Sequence, residues 1–332
     1  MGIALISPAT GARLTLLTDA QRAFIDRAGR MKSVQADAID FLHLNRSRET
    51  DDSLGAGIQL AWQGTAGRCR VTLRCRAVER VIETTGSTLT VYNLRIGERY
   101  NWSVSWEEDR AEGWFETADM PPRFMHLDGT TNVRDLGGWP TETGRRIRQG
   151  LIYRGSELDS HLQLTSRGAN ALLHQLRVKT DLDLRAEAQS PALDEKKLRW
   201  VHLPVSAYGD LSAPDQLQAY GDVFRVFLNE GMAPVYVHCW GGADRTGCLC
   251  YLLGALLGMR EEHLLLDYEL TSLSIWGDRS RDSAQFQRFM AALDCFASRE
   301  CPPRIRAERY WQAAGITIGE MDAFRRRLLE NN

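Results

Sequence analysis

The chain has 332 residues, 43% hydrophobic and 25% charged, and its 41 Lys and Arg against 43 Asp and Glu leave a formal net charge of −2. That length favours about two domains with ample chain for a core. The near balance of charge excludes a nucleic-acid or polyanion binder working by bulk electrostatics, although Arg145, Arg146 and Arg148 make a local basic patch. Seven cysteines without regular spacing indicate neither a disulfide framework nor a Cys-x2-Cys zinc site, so no metal and no cofactor is expected. Met1 to Thr18 has neither the basic start nor the apolar run of a signal peptide, and no stretch approaches the about eighteen apolar residues of a membrane span. A cytoplasmic protein with no membrane span and no nucleic-acid partner is the expectation.

In chain order, the first part alternates and is punctuated by turns. Thr18 to Arg30 reads as a helix and Met31 to Ser53 as a polar, charged stretch of unassigned structure. Ile58–Trp62, Arg70–Arg74, Thr88–Tyr92, Tyr100–Trp106 and Gly113–Thr117 suit short antiparallel strands. The segment Leu94 to Val104 resembles the stretch around the tyrosine corner of fibronectin type III sandwiches. That resemblance implies an all-β fibronectin/immunoglobulin-like sandwich over residues 1–120, with the Tyr100 hydroxyl returning to upstream backbone and Trp62 in the core. Trp62, Trp102, Trp106 and Trp114 are read as core and scattered surface aromatics in preference to a binding face.

After Met120-Pro-Pro122 the period changes. Short apolar runs at Leu151–Tyr153, Thr180–Leu184, Trp200–Leu203 and Val235–Val237 alternate with helical patterns over Ser166–Leu176, Asp215–Asn229 and Asp244–Leu257. Further helices follow over Glu261–Leu273, Ser283–Cys295, Arg304–Ala314 and Gly319–Leu329. The order predicts an α/β domain over 121–332, a mostly parallel central sheet flanked by helices. Cys248 and Cys250, two apart on one helix, read as small core residues.

The chemistry concentrates in His238-Cys-Trp-Gly-Gly-Ala-Asp-Arg-Thr-Gly247. A glycine-rich turn between a strand end and a helix start points successive N–H groups inward as an anion-sized nest, and the same donors stabilise a thiolate. Cys239 is therefore the expected nucleophile. The loop Trp240, Gly241, Gly242, Ala243, Asp244 and the Arg245 fork are the expected phosphate-binding set. Only Cys239 among the seven cysteines has an arginine six positions on.

These residues resemble the cysteine-dependent protein tyrosine phosphatases. The Asp244-Arg-Thr-Gly247 ending, with Asn132-Val-Arg-Asp-Leu-Gly-Gly138 and Gly150 to Leu158, is similar to a bacterial branch of atypical tyrosine and phosphoinositide phosphatases. The resemblance implies that His238 orients the loop and that Gly247 belongs to its support. Thr246 would hydrogen-bond the sulfur as it leaves. Arg134 and Asp135 either border the site or form a buried structural pair, the latter preferred. Two carboxyls compete as general acid: Asp244 inside the loop, favoured, and Asp210 in the loop after Leu203-Pro-Val205. The expected activity is metal-independent phosphomonoester hydrolysis through a cysteinyl-phosphate, on phosphotyrosine or related aryl phosphates first. Inositol phosphates or phosphoinositides come second, because Ala243 stands where inositide-acting relatives often have Lys; a phospho-dependent binding module comes third.

Overall fold

Strict alternation places the first strands. In the computed structural model, which describes residues 2–30, 51–187 and 190–331, β3 (Ile58–Gln63) and β4 (Cys69–Arg74) bury every second residue. Leu60, Trp62, Val71 and Leu73 face inward and Gln59, Gln63, Arg70 and Arg74 outward, the pleat of a half-buried sheet. Two compact units emerge, one of Met1–Thr18 with Gly55–Met125 and one of Asp19–Leu54 with His126–Asn332.

In the first unit β1 (Ala4–Ser7), β3 and β6 (Thr88–Val91) form one sheet, in the order β1-β3-β6. A second sheet runs β2-β8-β7-β4-β5, from β2 (Ala12–Leu14), β5 (Glu79–Thr84), β7 (Arg99–Trp106) and β8 (Asp109–Thr117). Arg123–Phe124 is a two-residue strand, β9. Inward residues of the two sheets share one core in which Tyr100 stacks on Phe115 at 5.5 Å. The Tyr100 hydroxyl accepts a 2.8 Å hydrogen bond from the Arg95 N–H, the upstream return expected of it. Trp62 and Trp102 are core, whereas Trp106 and Trp114 are half-buried, with Arg99 stacked 3.9 Å from the Trp114 ring centre. Strand β5 has no fully buried residue, so its alternation is too weak to see in sequence.

In the second unit the helix at Asp19–Arg30 (α1) forms as its pattern predicts, while most of the Met31 to Ser53 stretch lies outside the described residues. The sheet combines β10 (Arg134–Asp135), β11 (Ile152–Gly155), β12 (Thr180–Asp183), β13 (Arg199–His202) and β14 (Val235–His238) in the order β13-β12-β14-β11-β10. Only the β10–β11 pairing among these is antiparallel. β11, β12 and β14 are buried along their whole length, as parallel strands covered on both faces must be. The helices are α2 (Ser166–Asn170), running on into a π-helical Ala171–Gln175, α3 (Pro214–Leu228), α4 (Arg245–Leu256) and α5 (Glu261–Glu269). They continue as α6 (Ala284–Asp294), α7 (Pro303–Ala313) and α8 (Ile318–Leu328). Gly315, at φ +77°, closes α7, and Thr317 with Glu320 makes a reciprocal capping box on α8.

Cys248 and Cys250 are both 1% exposed in α4, core residues as read. The Arg145, Arg146 and Arg148 patch is spent on backbone: Arg145 donates to Glu330 O at 2.9 Å, Arg148 to Leu329 O at 2.9 Å and Arg146 to Gly138 O at 2.9 Å. Among the described residues no helix is long and apolar enough to cross a membrane.

Candidate active site

Register brings three loops together. Gly155 of β11 and Asp183 of β12 both pair with His238 of β14, so all three parallel strands end at one edge of the sheet. Ligands of open α/β sheets sit at that carboxyl edge. The loops leaving it are Ser156–Glu157, Leu184–Glu187 and Cys239–Asp244, the last running directly into α4 at Arg245.

Accounting for the loop's backbone shows what it holds inside. The Cys239 carbonyl lies 3.0 Å from His238 Nδ1. Trp240 O accepts from Glu157 N at 2.9 Å, Gly241 O from Asn132 Nδ2 at 2.9 Å and Gly242 O from an Arg154 guanidinium N–H at 2.7 Å. Three successive carbonyls, those of Trp240, Gly241 and Gly242, are thus held by donors beyond the loop. Among the described residues, none of the N–H groups of Trp240 to Asp244 donates to a protein acceptor. Buried backbone donors are nearly always paired. A run of them left open beside a helix N-terminus is a cradle for an anion.

Glycine is required where the loop turns. Gly242 has φ +63°, and a Cβ there would lie 2.0 Å from the Gly155 carbonyl oxygen. At Gly241 a Cβ would lie 2.9 Å from the Trp276 ring. Ala243 is 1% exposed and turns its methyl into the core.

Cys239 is 3% exposed at the start of this cradle, and the Thr246 hydroxyl is buried with no hydrogen-bond partner among the described residues. Arg245 Nη1 lies 3.2 Å from the Glu187 carboxylate and 3.5 Å from Leu184 O. Glu187 is more than half exposed, so the partner on the Arg245 fork is a solvent-facing carboxylate. The next arginines are committed. Arg185 is bidentate on Asp183 (2.9 and 2.7 Å), donates to Glu157 at 2.8 Å and stacks 4.9 Å from the Trp240 ring centre. Arg279 grips both oxygens of Asp244 at 2.8 and 3.1 Å. The Tyr208 hydroxyl donates to the same Asp244 carboxylate. Burial alone would favour the neutral acid, yet Arg279, Tyr208 and Arg245 hold Asp244 below the usual carboxylate range. Asp210 sits exposed on the short turn Tyr208–Ser212, two residues after the tyrosine that touches Asp244. The rings of Trp240, His161 and Trp276 stand close together at the loop, His161 lying edge-on to Trp240 at 4.8 Å and to Trp276 at 6.0 Å.

Beneath the loop lies a buried ionic scaffold. Arg134 Nε donates to Asp267 Oδ1 at 2.7 Å, its Nη2 to Asp267 O at 2.5 Å, and Arg154 Nη1 to Asp267 Oδ2 at 2.5 Å. Burial and the neighbouring Arg154 pull Arg134 down to about 10, against the opposing pull of Asp267. Asp135, 0% exposed, accepts from Gly137 N and Gly150 N at 2.8 and 2.6 Å. Both residues are buried, but the ion pair of Arg134 is with Asp267 in place of Asp135, whose carboxylate takes up the Gly137 and Gly150 amides. Asn132, Arg154, Asp267, Arg279, Tyr208 and Glu187 have no role in the sequence reading. Asn132 and Arg154 lie in motifs visible there, while the other four carry no local signal.

His238 is 0% exposed, with Nε2 2.9 Å from Asp181 Oδ1. Burial opposes its charge, but Asp181 and Asp183 outweigh it and raise the imidazole to about 9. A folded value above the ordinary one near 6.5 means stability that is complete below about pH 6.5 and lost as pH rises through about 9. The full effect is roughly 3 kcal/mol. Thermal midpoints measured from pH 6 to 10 should fall over that window in the native chain and fall less in Asp181→Asn. Equal slopes in the two proteins would remove His238 from the pH dependence.

Among the described residues no group of three or more His, Cys, Asp or Glu side chains is placed to hold a metal ion. Residues 125–330 match the model of a family described as the tyrosine phosphatase family. A curated Cupriavidus necator protein named as a tyrosine-protein phosphatase is 32% identical over 171 residues, covering 43% of this chain. The chain spans 61% of that relative's length. The core catalytic domain of the PP-IP phosphatase Siw14 of S. cerevisiae is 20% identical, with a TM-score of 0.30 over 40% of this chain and 77% of that one. TpbA of P. aeruginosa is 18% identical, with a TM-score of 0.29 over 45% and 89%.

Proposed function

Because this chain belongs to the tyrosine phosphatase family, we propose that it hydrolyses phosphate monoesters through a cysteinyl-phosphate, with phosphotyrosine or a related aryl phosphate as substrate. The observation that carries this reading is the run of open N–H groups from Trp240 to Asp244, bracketed by Cys239 and Arg245. Such donors match the three equatorial oxygens on which charge builds during phosphoryl transfer. The Cys239 sulfur forms a bond to phosphorus as the ester P–O bond breaks, and the departing oxygen takes a proton from a carboxylic acid. Water then attacks phosphorus, the S–P bond breaks, and the same carboxylate accepts the water's proton. Thr246 supports the sulfur as it departs. The nucleophile and the cradle are both protein groups, so no metal takes part.

Two carboxyls are candidates for the acid. Asp244 has the position but is held ionised by Arg279. A substrate dianion arriving in the loop adds a like charge that pushes its proton affinity back up. Among the described residues Asp210 has no carboxylate-holding partner of that kind, and it relies on its place on the turn at Tyr208–Ser212. The alkaline limb of kcat separates them. Loss of that limb in Asp244→Asn with Asp210→Asn unchanged assigns the acid to Asp244, and the reverse pattern assigns it to Asp210. The acid's removal should cost about 10²–10⁴-fold in kcat on an alkyl or phenyl phosphate.

Aryl phosphates come first because the rings of Trp240, His161 and Trp276 stand together beside the loop. Further phosphates would need free cations, and both neighbouring arginines, Arg185 and Arg279, are already bidentate on aspartates. Comparing kcat/KM across phosphotyrosine peptides and inositol phosphates tests this ranking. Preference for the inositol series would reverse it. The first unit we read as a fibronectin type III-like module, on the strength of the Tyr100 hydroxyl bonded to Arg95 N and the three- and five-stranded sheets.

A further inference from the structure

The four residues Asp51–Leu54 precede the long run of first-unit strands in sequence yet pack within the second unit. Several hydrogen bonds fix them there. Asp52 N donates to Leu273 O at 3.0 Å, and the buried Gln21 carboxamide of α1 donates to Asp52 O and Leu54 O, each at 2.9 Å. Ser53 is 0% exposed. Its hydroxyl donates to Asp51 Oδ1 at 2.6 Å, lies 3.1 Å from the Thr131 hydroxyl, and accepts from Asn132 N at 2.7 Å.

Asn132 is the residue that most needs holding. Its φ is +60°, a left-handed conformation that a non-glycine residue keeps only when its surroundings over-determine it. The side chain then fans out. Nδ2 donates to Gly241 O at 2.9 Å and to Thr271 Oγ1 at 3.1 Å, while Oδ1 accepts from Arg134 at 2.5 Å. Gly241 lies within the cradle, and its carbonyl must be drawn outward for the adjoining N–H groups to face in.

We propose that Ser53 is a positioning residue for the anion-binding loop, acting through Asn132 on Gly241. The proposal rests on the reading of that loop as the phosphate cradle. A contiguous line of bonds runs from Asp51 through Ser53 and Asn132 to the loop, and no other described contact holds the Asn132 N–H. Removing the hydroxyl leaves that N–H buried and unpaired, frees Asn132 to relax from φ +60°, and lets Gly241 rotate. The catalytic unit then depends on residues far upstream of Pro122, and a chain starting there would lack one of its positioning groups.

The test uses the full chain and four variants, Ser53→Ala, Ser53→Cys, Asn132→Asp and Ser53→Ala/Asn132→Asp. Turnover of p-nitrophenyl phosphate, inhibition by orthovanadate and the thermal midpoint are measured on each. Ser53→Ala should lose about 10- to 100-fold in kcat/KM, with vanadate affinity falling in step, because a displacement of about 1 Å costs that much at a transition state. Ser53→Cys, a weaker acceptor of similar size, should fall between it and the native chain. It keeps the test available if Ser53→Ala does not fold. The double variant should be little worse than Asn132→Asp alone, since the two act in series. A Ser53→Ala chain that melts earlier but keeps native kcat/KM and vanadate affinity overturns the proposal, as does an additive double variant. If the native chain neither turns over nor binds vanadate, the function itself fails and this inference with it.

Discussion

Replacing Cys239 by serine is expected to abolish release of phosphate from p-nitrophenyl phosphate, by at least about 10⁴-fold in kcat. A neutral hydroxyl is a far weaker nucleophile than a thiolate, and an alkoxide is a far poorer leaving group in the second step. The fold should persist, because the exchange conserves shape at a site 3% exposed. Binding of phosphate or vanadate should also persist, because the cradle's donors are the N–H groups of Trp240 to Asp244 and the Arg245 fork. Activity lost with binding retained identifies an enzyme, and separates it from a module that only recognises phosphorylated partners. If the serine variant keeps more than about a tenth of native turnover, Cys239 is not the nucleophile.

Asp267→Asn should produce the largest loss of stability. The carboxylate is 6% exposed and neutralises two guanidinium groups that are 0% exposed. With it gone, Arg134 and Arg154 face each other in the interior without a counter-charge. Breaking a buried pair in this way costs about 3–5 kcal/mol, or roughly 10 °C in the melting of a domain of this size. Activity should fall as well in whatever protein remains folded, because Arg154 also holds Gly242 O at 2.7 Å. The exposed Arg260–Glu262 pair, at 3.7 Å with both side chains more than half exposed, is the internal control. Glu262→Gln should change stability by less than about 1 kcal/mol. Equal effects of the two substitutions would mean that Asp267 is not carrying the buried charge.

The legible parts of this molecule are those whose physics is local. Strands β11 and β14 announce themselves by short apolar runs, and α7 and α8 by Gly315 and the Thr317 cap, because period and capping are properties of neighbouring residues. The cradle is legible for the same reason: Cys239, its glycines and Arg245 occupy one short stretch of chain. What holds the cradle is not. Asp267 meets Arg134 across a sequence separation of 133 and Arg154 across 113, and Asn132 reaches Gly241 across 109. Nothing local marks Arg279 or Tyr208 as the partners of Asp244, which is why that residue reads as a simple acid in sequence and as a gripped carboxylate in three dimensions. The arginines at 145, 146 and 148 make the converse point. Their clustering suggests a patch for an external anion, whereas their hydrogen bonds go to the carbonyls of Gly138, Leu329 and Glu330.

The covalent intermediate tests the central claim most directly. The native chain would be mixed rapidly with a phosphotyrosine peptide, quenched in acid within the first turnovers, digested and analysed by mass spectrometry. One phosphoryl group should appear on the peptide containing Cys239, as a thiophosphate ester absent from Cys239→Ser and unaffected by EDTA. Phosphate release without any phosphorylated Cys239, or release that EDTA abolishes and a divalent ion restores, would contradict a cysteinyl-phosphate mechanism and point to direct attack by metal-activated water.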